Sequence, residues 1–83
     1  MVHTIQNPLI ISSVATELPI LLALMHRSKT VTLDLAQLPR IDTAGLAMLL
    51  EIKHIAQVQK CHIIIQNHPE FVVELCNLYK ITL

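Results

Sequence analysis

Eighty-three residues make one small domain, residues 1–83, in which 53% of positions are apolar and six Lys/Arg balance six Asp/Glu. A chain this short buries a limited share of its surface, so that much apolar content implies a dense core or a face shared with a partner. With zero net charge, no basic cluster and only Phe71 and Tyr79 as aromatic residues, nucleic-acid binding by phosphate neutralisation or base stacking is excluded.

Residues 2–5 and 9–11 read as short strands around Gln6-Asn7-Pro8, a turn signal, which predicts an antiparallel start. Thr16 reads as a helix cap with Glu17 and Pro19 in the first turn and a body over residues 20–26. The longest apolar run, residues 18–25, contains Pro19, falls far short of the ~20 residues of a membrane span, and follows no positively charged segment of a signal peptide. Residues 31–35 place Val31, Leu33 and Leu35 at strand spacing. Pro39 then interrupts, and Asp42 and Thr43 favour a helix start, with the helix running to about residue 59. Residues 61–66 carry Ile63-Ile64-Ile65, a β-branched run typical of a buried strand. Asn67 and Glu70 are spaced as a capping box for a third helix, and residues 81–83 read as a last edge strand. Strands alternating with helices imply right-handed parallel crossovers between residues 31–35 and 61–66. The predicted class is α/β, a mixed sheet with helices packed against it.

No constellation for catalysis or metal binding emerges. Cys61 and Cys76 form no close pair, and His3, His26, His54, His62 and His68 lack zinc-ligand spacing, so no metal or cofactor is expected. Both cysteines read as small apolar residues in a reducing, cytoplasmic setting. Ser12, Ser13 and Ser28 stand in no nucleophile motif, and a chain with one glycine has no glycine-rich phosphate loop. Asp34 ends a strand as a phospho-acceptor would, but no acidic pair accompanies it to hold magnesium.

The Asp42-Thr43 step is the most informative feature. Backbone N–H groups at a helix mouth lack intrahelical partners and the dipole there is positive, so the place suits an anion, including a phosphate carried on Thr43. The plainer role is that both residues only cap the helix. On a helical wheel Gly45, Met48, Leu49, Ile52, Ile55 and Ala56 share the core face. Thr43, Leu46, Ala47, Leu50 and His54 form a second stripe, with Leu46 and Leu50 either anchoring a partner or tucked under a neighbouring helix.

The strand VTLDL followed by Asp42-Thr43-Ala44-Gly45-Leu46 resembles the Asp-Ser/Thr-x-Gly-Leu signature of STAS domains, which include anti-anti-sigma factors and subunits of bacterial phospholipid transporters. The longer run over residues 40–50, with Leu75, Leu78, Tyr79 and Ile81 in LCNLYKI, is more similar to the MlaB branch of that family. Ala44 departs from the pattern, standing where many relatives have glycine or serine. The resemblance implies a non-enzymatic subunit that docks on the cytoplasmic ATPase of a phospholipid ABC transporter, peripheral to the inner membrane. It implies partner-binding or regulatory roles for Asp42, Thr43, Leu46, Ala47, Leu50 and His54. The alternative it leaves open is an anti-anti-sigma-like switch that binds a serine kinase or anti-sigma factor and is released when Thr43 is phosphorylated.

Overall fold

Val31 and Leu33 point to one side of the strand Thr30–Asp34 and are each 1% exposed, whereas Thr32 and Asp34 between and beside them are only half-buried. That alternation places one sheet face on the core. The computed structural model, which describes residues 1–83, runs β1 (Val2–Thr4), α1 (Val14–Arg27), β2 (Thr30–Asp34), α2 (Thr43–Val58), β3 (His62–Gln66), α3 (Glu70–Leu78). The strands lie in the order β1-β2-β3 and both pairs are parallel. Two successive crossovers in one direction put their helices on the same face. Accordingly α1 packs on β2, α2 on β3, and the helices on each other. Leu21, Leu33, Leu46, Leu49, Ile52 and Val72 are among the fully buried residues between them. The opposite face carries Val2, Thr32 and Ile64 in one cross-strand row, with Val2 and Ile64 exposed.

The α/β class matches expectation, but the sheet is parallel throughout and has no antiparallel start. Residues 9–11 form no strand. Leu9 makes a single parallel bridge to Ile41, its N–H donating to the Arg40 carbonyl at 3.0 Å and its carbonyl accepting from Asp42 N–H at 3.1 Å. Those are the groups a hairpin with β1 would have needed.

Other boundaries shift for similarly local reasons. α1 begins at Val14, with Ser13 rather than Thr16 at its N-cap, because the Ser13 hydroxyl closes the preceding turn. It donates to the Pro8 carbonyl at 2.6 Å and accepts from Ile10 N–H at 3.1 Å. Pro19 then falls in the second turn, on the exposed side. β3 is an edge strand whose isoleucines are half-buried or exposed, not a central buried one. Asn67 does not cap α3. It has a positive φ of 57° and donates from Nδ2 to Asp34 Oδ1 at 3.0 Å, leaving Pro69 at the cap position.

Residues 81–83 form no strand. Lys80, at φ 56°, donates to the Asn77 carbonyl and Ile81 to the Cys76 carbonyl, the double closure of a Schellman motif. Lys60 and Cys61 end α2 in the same way, bonding to Gln57 and Ala56. Cys61 and Cys76 are buried, unpaired thiols. No helix is long and apolar enough to cross a membrane.

Candidate functional site

Asp42 sits in extended conformation at the N-cap of α2, and its carboxylate serves two segments at once. Oδ1 accepts from Gly45 N–H at 3.0 Å, inside the first turn, and Oδ2 accepts from Ile11 N–H at 2.9 Å, in the strap that precedes α1. The Gly45 N–H bond is the main cause that holds the Asp42 carboxyl below the ordinary carboxylate range, followed by the Ile11 N–H. Partial desolvation opposes them, and Ala44 N–H and the Arg40 charge add smaller lowering contributions. The carboxylate is thereby committed to the fold.

Gly45 is dictated by the same strap. A β-carbon there would stand 1.9 Å from the Leu9 carbonyl oxygen and 2.7 Å from its carbonyl carbon, so the first turn of α2 lies directly on the Leu9 backbone. Asp42, Gly45 and Leu9 therefore form one unit that fixes how the mouth of α2 is presented.

Thr43 opens the helix and is exposed. Its Oγ1 lies 3.4 Å from Tyr79 Oη, either hydroxyl being able to donate. Tyr79 immediately follows α3 and is itself exposed, so two hydroxyls from distant segments meet at the positive end of a helix. The pair offers hydrogen bonds and takes part in no nucleophile–base arrangement: the neighbouring carboxylate holds Gly45 and Ile11.

The second stripe of α2 divides. Leu46 is 1% exposed and belongs to the core, which corrects its assignment as a surface anchor. α1 packs along α2 and the Leu9 strap lies over its first turn, so the buried arc is wider than the wheel alone implied. Ala47 and His54 are exposed and Leu50 is half-buried. Ala47 lines an open apolar cleft of about 400 Å³ between α1 and α2, with Val14, Leu18, Ala44, Met48 and Glu51. Leu50 and His54 line a separate cleft beside β3, with Lys53, Gln57, His62 and Ile63. The structure thus brings Asp42, Thr43 and Ala47 to the mouth and first turns of α2, and sets Leu50 and His54 further along.

Sequence reasoning passed over Tyr79 as a site residue and the α1 wall of the apolar cleft. Val14 and Leu18 share a face at i, i+4 spacing, a signal hidden by placing the helix start at Thr16. Tyr79 lies 36 residues from Thr43 and carries no local signal of that meeting.

A parallel sheet with a capped helix α2 that displays a threonine at its mouth defines a small α/β domain. The chain belongs to the STAS domain family in its MlaB-like form: the family model described as "Mlab, STAS domain" matches residues 12–82. Membership carries a STAS-type role in protein binding. Among solved structures, one described as "Crystal Structure Analysis of Mglu" superposes with a TM-score of 0.70 at 21% identity. The match covers 84% of this chain and 18% of that one, and at this identity the likeness is one of fold. No curated protein matches the chain.

Proposed function

We propose that this STAS domain is a non-enzymatic accessory subunit that docks on the cytoplasmic ATPase of a phospholipid ABC transporter and stabilises or tunes it, peripheral to the inner membrane. The observation that carries this reading is the division of α2. Leu46, Leu49 and Ile52 are sealed in the core, while Thr43, Ala47, Leu50 and His54 lie exposed or half-buried along the helix from its mouth. Family membership of the MlaB-like form supports the choice of partner. Such a subunit alters an ATPase only by binding one of its conformations or assembly states more tightly than another.

Co-purification with the ATPase, together with its hydrolysis rate with and without the domain, tests this. Stable co-purification and a changed rate are expected, whereas the domain alone neither hydrolyses nucleotide nor binds it in calorimetry. Saturable nucleotide binding by the isolated domain, or no association with the ATPase, would overturn the reading.

A further inference from the structure

We propose that the domain self-associates through the outer edge of β3, two copies pairing antiparallel about a two-fold axis at Ile64. β3 ends the sheet, and its inner edge is fixed by the ladder to β2: His62 N–H donates to the Lys29 carbonyl at 2.7 Å and the Gln66 carbonyl accepts from Leu35 N–H at 3.0 Å. Backbone groups alternate in direction along a strand, so His62, Ile64 and Gln66 bond inward. The N–H and C=O of Ile63 and Ile65 point away from the sheet and form a template for another strand.

The sequence of that edge selects the occupant. His62-Ile63-Ile64-Ile65-Gln66 reads nearly the same in both directions. In an antiparallel pair centred on Ile64, Ile63 faces Ile65 of the second copy and Ile65 faces its Ile63. Each of these pairs exchanges two N–H···O bonds. The two Ile64 residues meet at the close, non-hydrogen-bonded position on the uncovered sheet face, where Ile64 is 39% exposed. His62 falls opposite Gln66, so no like charges confront each other anywhere along the register. The same patch is complementary to itself, as a two-fold interface requires.

β3 also lacks the usual protections of an edge: no lysine, proline or carboxylate lies within it. β1, the other edge, is only three residues long. A five-residue edge is a strip about 17 Å long, and a strip one strand wide offers far less surface than the ~800 Å² per partner of a stable dimer. The dimer is therefore weak and reversible, populated at high protein concentration.

Sedimentation velocity over a concentration series, paired with residue-resolved amide exchange on the same full chain, tests the proposal. The expected result is a mass rising toward twice the monomer value, with exchange at Ile63 and Ile65 slowing in step. Ile64→Lys places like charges face to face and raises the dissociation constant at least tenfold, with circular dichroism confirming that the variant is folded. If that variant unfolds, the amide measurement on the natural chain decides alone. A monomer at every concentration would overturn the proposal. So would a dimer that leaves the Ile63 and Ile65 amides unprotected, or protection of them only by an added extended peptide.

Discussion

The Leu9 carbonyl oxygen occupies space that a side chain on Gly45 would need, 1.9 Å from the position of its β-carbon. Helix propensity alone favours Gly45→Ala by about 1 kcal/mol. The collision is with backbone and cannot be relieved by a rotamer, so the expected result is the opposite sign, a loss of about 1 to 3 kcal/mol. Urea unfolding of the two proteins measures it, and a stabilised variant would show that the strap at Leu9 yields.

Asp42 links stability to pH. Its carboxyl titrates below the ordinary range when folded, because it accepts the Gly45 and Ile11 N–H bonds. A depressed folded value contributes stability that is complete above the unfolded value near 3.9 and is lost as pH falls through the folded value. Asp34 behaves likewise, held down first by Ala36 N–H and then by the Asn67 side chain. Unfolding curves from neutral to acidic pH are expected to flatten partly in Asp42→Asn and further in the double variant with Asp34→Asn. An unchanged acid slope in the double variant would place the pH dependence elsewhere.

Leu46 and Leu50 are separated by one helical turn and have different roles. Leu46→Ala, at a 1% exposed core position, is expected to cost about 2 to 5 kcal/mol of folding stability. Leu50→Glu, at a half-buried position beside His54, is expected to leave the domain folded and to weaken ATPase docking by more than about 2 kcal/mol. Thermal melts run beside a binding titration separate the two. Normal docking by Leu50→Glu would move the interface off this stripe.

Thr43 distinguishes the transporter reading from a phospho-switch. A negative charge at position 43 suits the helix dipole, so Thr43→Glu is expected to stay folded while its hydrated carboxylate weakens docking. Thr43→Ala removes the hydroxyl beside Tyr79 and is expected to lose part of the docking affinity. Full binding by Thr43→Ala, with abundant phosphate on Thr43 from native cells by mass spectrometry, would favour the switch instead.

Elements set by local signals were legible. The start of α2 follows from Pro39 and the Asp42 cap, and β2 and β3 fall within a residue of their expected bounds. What was illegible depends on distant partners. The direction of the first strand pair depends on Leu9 being drawn to Arg40 and Asp42, and Asn67 leaves its capping role because Asp34 takes its side chain. The wheel placed Gly45, Met48, Leu49, Ile52 and Ala56 on the buried face correctly, but Ile55 is only half-buried, and the packing of α1 and the Leu9 strap on α2 moved Leu46 inside. Asp42 and Gly45 were legible as a motif; that both serve the strap at residues 9–11 was not.

Tyr79 is the only tyrosine, and the chain contains no tryptophan, so its near-ultraviolet emission comes almost wholly from one ring. That ring carries the hydroxyl lying 3.4 Å from Thr43. The domain thus has an intrinsic optical reporter at the mouth of α2. A partner that covers Thr43 must change the quenching of this phenol, and a tryptophan brought close to it would drain its emission by energy transfer, with no label added.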